Sequence, residues 1–107
     1  MSIQEAITQL TDKMNREPGG IQGIDAVYQF DIEGSGVHQV RLAGGSAEYR
    51  AGEEFDADCI LTMSEANFAR LTAGKLNPTT AFMTGKLKVK GDLSLAVRLQ
   101  SLLKKYG

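Results

Sequence analysis

The chain contains no tryptophan, a single cysteine (Cys59) and a single histidine (His38) among 107 residues. One cysteine forms no internal disulfide, and the apolar setting "ADCILTM" marks Cys59 as a buried structural thiol rather than a nucleophile. A zinc site needs more donors than these two residues supply, so His38 is expected to pack or to lie at the surface. No apolar run is long enough to cross a membrane, and the first residues, "MSIQEAITQL", are too polar for a secretory signal. The expectation is a soluble cytoplasmic protein. Its lysines have no aromatics between them on which bases could stack, and its net charge is only −1, so nucleic acid is not an expected partner.

The motifs of common enzyme classes are also missing. There is no G-x-S-x-G elbow, and no glycine pattern of the phosphate-cradling kind. Gly34-Ser35-Gly36 opens no helix, so it is not a dinucleotide fingerprint. Glu53-Glu54 and Asp56 to Asp58 are read as solvated turn acids. The chain reads as a binder, not an enzyme, with no cofactor required.

The residues that are present alternate in recognisable periods. Ser2 and Glu5 have the spacing of a capping box, and Ile3, Ile7, Leu10 and Met14 then follow at helical intervals until Pro18-Gly19-Gly20. In "DAVYQFDIE", Ala26, Tyr28, Phe30 and Ile32 alternate with Gln29, Asp31 and Glu33, the pattern of a half-buried strand. "VHQVRLA" and "SAEYRA" repeat it after glycine turns, predicting a three-stranded antiparallel meander with one wet face that carries Gln29, Gln39 and Arg41. "ADCILTM" is a fourth strand. Ser64 caps a second helix that ends at Gly74, and Asn77-Pro78 opens a short third one that ends at Gly85. Leu87 and Val89 belong to a fifth strand, and Asp92 caps the last helix. The order helix, four strands, two helices, strand, helix is an α+β pattern: a single domain, with a five-stranded, mainly antiparallel sheet and its helices packed on one face.

The last helix is unusually apolar. Ser94, Arg98, Ser101 and Lys105 form one narrow polar stripe, and Leu93, Leu95, Ala96, Val97, Leu99, Leu102 and Leu103 take most of the remaining circumference. That exceeds the ~100° stripe of an ordinary surface helix. The helix is deeply embedded, meets a second chain, or closes over something apolar that is not protein.

Charge is divided along the chain. Met1 to Asp58 holds four bases against eleven acids, a net of −7, and Cys59 to Gly107 holds eight bases against two acids, a net of +6. Either the halves neutralise each other across the fold, which is the commoner arrangement, or the second half offers a basic face to phosphate or an anionic membrane.

"GKLNPTTAFMTGKLKVKGDLSLAVRLQSLL", Gly74 to Leu103, resembles the sterol carrier protein 2 family of sterol- and lipid-binding domains. It has the Gly-Lys-Leu-Asn-Pro turn, the Ala-Phe before Gly-Lys, the Lys-x-x-Gly-Asp step and the leucine-rich helix with Gln-x-Leu. "VYQFDIEG" and "ADCILTMSEANFARLTAGK" are similar to its first strand and its strand-to-helix segment. The resemblance implies an apolar tunnel between sheet and helices, closed in part by the C-terminal helix. It also implies loose binding of sterol, fatty acid, fatty acyl-CoA or phospholipid. Many eukaryotic members have Gln where this chain has Thr84, and often end in a peroxisomal tripeptide, whereas this chain ends Lys105-Tyr106-Gly107.

The expected lining comes from the inward positions. These are Phe30, Ile32, Val40, Leu42, Leu61 and Met63 on the strands; Phe68, Leu71, Phe82 and Met83 on the middle helices; Leu87 and Val89 on the fifth strand; and Leu95, Ala96, Leu99, Leu102 and Leu103 on the last helix. Lys86, Lys88 and Lys90 alternate away from the pocket, as a solvated strand face or as a contact to an anionic head group or membrane. The partners expected are a small lipid and, transiently, an anionic membrane surface, for a monomer or weak homodimer. The rival reading is a dimerisation or interaction module, or an accessory subunit of a lipid- or quinone-metabolic enzyme, with a vestigial pocket.

Overall fold

The computed structural model describes residues 2–107. Helix α1 (Ile3–Arg16) starts on the capping box: the Glu5 N–H donates to the Ser2 hydroxyl, and the Ser2 N–H to the Glu5 carboxylate. A 3-10 turn, Pro18–Ile21, which the periodicity does not foretell, leads into the sheet. Strands β1 (Ala26–Glu33), β2 (Gly36–Ala43), β3 (Ser46–Ala51) and β4 (Cys59–Ser64) precede α2 (Glu65–Thr72) and α3 (Pro78–Met83). Strand β5 (Lys88–Gly91) and helix α4 (Leu93–Tyr106) complete the chain.

The strand order is β3-β2-β1-β4-β5. The pairs β1–β2, β2–β3 and β4–β5 are antiparallel, but β1 and β4 run parallel, so the sheet is mixed. The chain reaches β4 by way of the whole meander and re-enters beside β1, which becomes the central strand. Gly44 and Gly45, both at positive φ (58° and 76°), make the tight turn between β2 and β3 that favours the twist of a hairpin.

The inner face carries the core. Tyr28, Phe30, Ile32, Val40, Leu42, Leu61 and Met63 pack there with Ile7, Met14, Phe68, Leu71 and the buried side of α4. Phe30 meets Phe68 edge to face at 5.6 Å between ring centroids. The β3 edge is closed by α1. The Asn15 amide donates to the Ala47 carbonyl (2.9 Å) and accepts from the Ala47 N–H (2.8 Å), occupying the groups a further strand would use.

The opposite face departs from the wet surface that alternation predicts. Gln29 and Gln39 are buried, Gln39 completely, because the loop of residues 52–58 folds back over them. The Gln39 amide oxygen accepts from the Glu54 and Phe55 N–H groups (3.0 and 2.9 Å). Its nitrogen donates to the Phe55 carbonyl and the Gln29 side chain (both 2.9 Å). Arg41 lies over the Phe55 ring at 5.3 Å. Asp58 is likewise more than a solvated turn acid. Its carboxylate accepts from the Val27 N–H (2.8 Å), and its carbonyl accepts from the Asp92 N–H (2.9 Å), tying the ends of β1 and α4 together.

Candidate functional site

Two capped helices and the edge strand frame the site. The Asn77 side chain accepts from the N–H groups of Thr79 and Thr80 (2.8 and 3.3 Å), and Pro78 occupies the first helical position, so α3 starts abruptly. At its far end the Ala81 carbonyl accepts from the N–H groups of Lys86 and Leu87 (2.9 and 3.1 Å), and the chain reverses into β5. Asp92 caps α4 by accepting from the Ser94 N–H (2.9 Å) and hydroxyl (2.6 Å), and these bonds hold its carboxyl below the usual carboxylate range.

Helix α4 is fastened at both ends. Near its start the buried Tyr28 hydroxyl donates to the Leu95 carbonyl at 2.6 Å. Burial, reinforced by nearby Cys59, raises the pKa of that phenol far above its ordinary value, so it remains a donor. At the other end the Tyr106 hydroxyl donates to the Glu17 carbonyl and accepts from the Gly20 N–H (2.9 Å).

Between these elements lies an apolar cavity of about 150 Å³. Its lining is Pro78, Thr79 and Phe82 from α3, Val89 from β5, and Leu93, Ala96 and Val97 from α4, with Thr79 the one polar side chain among them. It opens to solvent, with three of its apolar lining residues largely exposed: Phe82 (46%), Leu93 (54%) and Val97 (58%). A second cavity of about 130 Å³, lined by Leu71, Leu76, Leu103, Gln100 and Lys104 among others, shares Pro78 with the first. A wider groove of about 340 Å³ runs between α1, α2 and the end of α4. It carries Ser2, Gln9, Lys13 and Thr72 along with Ile3, Leu10 and Phe68, a wetter lining than that of the first cavity.

The expected lining residues therefore fall into groups. Phe82, Val89 and Ala96 line the 150 Å³ cavity, and Met83 is exposed on the same helix as Phe82. Leu71 and Leu103 line the neighbouring cavity, Phe68 the groove, and Leu102 an open cleft beside Gly20 and Arg98. Phe30, Ile32, Val40, Leu42, Leu61, Met63, Leu87 and Leu99 are buried in the packed core, with Leu95 half-buried against it. Pro78, Thr79, Leu93 and Val97 line the cavity but were not among the expected lining residues. Leu93 and Val97, four residues apart on the broad apolar face of α4, carried the signal.

Lys86, Lys88 and Lys90 are exposed. Lys88 and Lys90 pair with Thr62 and Ile60, so they leave the sheet on the side opposite Val89. Among the described residues the two halves are not neutralised by direct pairing. Among the described residues the ion pairs join Arg50 to Glu48 and Glu54, all within the acidic half. Thr84 donates its hydroxyl to the Thr80 carbonyl (2.9 Å), so toward a ligand its oxygen is left only to accept. His38 is buried, its Nε2 donating to the Ser35 carbonyl (2.9 Å) while Nδ1 accepts from the Tyr49 hydroxyl (2.7 Å), a satisfied packing residue. Cys59 is fully buried, and burial pushes its thiol up to about 11. Among the described residues no group of His, Cys, Asp and Glu side chains is placed to hold a metal, and no helix is long and apolar enough to cross a membrane.

Comparison with known proteins agrees with this geometry. Hydroxysteroid dehydrogenase-like protein 2 of Bos taurus is 39% identical over 107 residues, covering 95% of this chain and 25% of the relative. The Rattus norvegicus protein of that name is 34% identical over 105 residues, covering 95% of this chain and 20% of the relative. The chain thus spans a fifth to a quarter of the length of these curated relatives. Sterol carrier protein 2 from Yarrowia lipolytica, solved in its apo form, superposes with a TM-score of 0.75 at 28% identity, covering 92% of this chain and 87% of that one. Residues 5–104 match the family model itself, and the chain belongs to the SCP-2 sterol transfer family.

Proposed function

We propose that the protein captures an aliphatic lipid reversibly, without catalysis, in the cavity between α3, β5 and α4. The observation that carries this reading is an apolar void with a single polar lining residue, open beside unpartnered apolar side chains. A pocket of about 150 Å³ accommodates a guest of about benzene's volume. About six buried carbons at ~0.8 kcal/mol each give roughly 5 kcal/mol before the cost of association. Micromolar binding, at about −8 kcal/mol, therefore needs a longer chain and more room. On this reading the room comes from α3 and α4 parting from the core as the ligand enters, which would turn Leu61, Leu99 and the neighbouring core residues into lining. Hydrocarbon burial discriminates little among fatty acids, acyl-CoA, sterols and phospholipids, so loose selectivity follows.

The test is displacement of an environment-sensitive fluorescent fatty acid by unlabelled lipids. Saturable displacement at one ligand per chain is expected. No uptake, accompanied by concentration-dependent dimerisation, overturns the carrier reading in favour of an interaction module. A second reading is favoured by the share of the relatives that the chain spans: the domain holds lipid for an enzyme of lipid or quinone metabolism, as an accessory unit.

A further inference from the structure

We propose that the lipid lies lengthwise between α3 and α4 with a fixed polarity, its acyl tail against Leu93 and Val97 and an ionised acid group on Lys104. The ligand class is then a single-chain lipid acid. This deepens the carrier reading and rests on it. The 150 Å³ cavity and its 130 Å³ neighbour meet at Pro78, and α4 walls both. The first takes Leu93, Ala96 and Val97 from that helix, the second Gln100, Leu103 and Lys104. Steps of three and four residues place all six on one face of α4. The two cavities are consecutive stretches of one furrow, with Pro78, at the start of α3, as the ridge between them.

The furrow changes chemistry along its length. At the Leu93 end Thr79 is the one polar side chain in the lining, and the nearest acid, Asp92, caps the helix there. A carboxylate at that end meets no base in the lining and would be desolvated among Phe82, Leu93 and Val97. At the other end stand Asn77, Gln100 and Lys104. The Asn77 oxygen already accepts from Thr79 and Thr80, and Gln100 Oε1 accepts from the Thr79 hydroxyl at 3.4 Å, which leaves Lys104 as the one charged side chain in that lining. Among the described residues Lys104 is in no ion pair. The last turn of a helix presents unpaired carbonyls and repels an anion, so an acid group settles there only through the Lys104 ammonium. Lys105 shares the helix end but lines the cleft beside Gly20 and Ser101, away from the furrow. Leu93 and Lys104 are eleven residues apart, about 16 Å along the axis, close to the extended length of tetradecanoic acid.

The test compares tetradecanoic acid with 1-tetradecanol as displacers of an uncharged environment-sensitive alkyl probe at pH 8, where the acid is ionised. An exposed ion pair changes an equilibrium by up to about fivefold. Lys104→Met is thus expected to lower the ratio of acid to alcohol affinity about fivefold while leaving the alcohol unchanged. Lys104→Glu is expected to lower the ratio again by a similar factor. Lys105→Met, which removes an equal charge from the neighbouring position, is expected to change it less than twofold. Stearic acid carrying a nitroxide near its carboxyl is expected to broaden the amide resonances of residues 100–104, and one carrying it near the methyl end those of residues 93–97. A ratio that survives Lys104→Met overturns the proposal, as does an equal fall for Lys105→Met or a reversed broadening pattern. If neither the acid nor the alcohol displaces the probe from the parent chain, the carrier reading itself fails. Displacement by both with no dependence on Lys104 refutes the polarity alone, so the two failures are distinguishable.

Discussion

Replacing Ala96 with leucine places three further carbons against a void of about 150 Å³ whose wall Ala96 forms. The side chain is almost fully buried and lies opposite Phe82 and Val89 of the same lining. Three ligand carbons excluded at ~0.8 kcal/mol each amount to about 2.4 kcal/mol, roughly a sixtyfold rise in the dissociation constant for a fatty acid. The folded chain itself is expected to hold steady or gain up to ~1 kcal/mol, since the new atoms occupy space rather than displace neighbours. Fluorescent fatty-acid displacement and urea denaturation on the same preparation report the two effects separately. Unchanged affinity together with raised stability would refute the reasoning: the void would be filled and the ligand would lie elsewhere, the groove between α1 and α2 being the next site to probe.

Three further outcomes follow from the hydrogen bonds and the buried thiol. Tyr106→Phe removes the hydroxyl that joins Glu17 to Gly20, and a loss of about 1–2 kcal/mol in urea denaturation is expected. Gln39→Leu strands the N–H groups of Glu54 and Phe55 and the Gln29 carbonyl, which is expected to cost ~2–4 kcal/mol and to speed limited proteolysis within residues 52–58. It should leave fatty-acid binding unchanged, because the loop lies on the other face of the sheet. Cys59 is expected to ignore a thiol reagent at pH 8 until the chain is denatured. Its native thiol keeps a proton that the unfolded chain sheds near pH 8.5, so stability falls as pH rises from about 8.5 to about 11, by up to ~1.4 kcal/mol per pH unit. Cys59→Ala removes that share of the slope in denaturation curves measured across the window.

Short-range chemistry made most of the fold legible. The Ser2–Glu5 box, the Ser64, Asn77 and Asp92 caps, and the glycines after α2 and α3 each act within four residues, and each marks an element boundary where it was expected. Period-two alternation located the four longer strands and the inner face. It failed on the outer face because alternation reports side-chain direction, not what lies above. Gln39 points away from the core as predicted, yet Glu54 and Phe55, fifteen and sixteen residues on, remove it from water. The site was legible as an apolar excess on α4, and Leu93 and Val97 are that excess. Its extent was not, because an inward-facing Phe30 or Leu42 reads the same whether it lines a tunnel or fills a core. The charge division was plain in the sequence, but only side-chain positions reveal that, among the described residues, its two halves form no ion pairs with each other.

The amide clamp of Asn15 on Ala47 has a consequence for assembly. That clamp occupies the outward groups of Ala47 on one border, and the other border is a four-residue strand bearing two lysines, two features that make the sheet a poor template for another chain to continue. Crowding, or tethering to a larger polypeptide, therefore meets two borders that discourage strand-by-strand polymerisation.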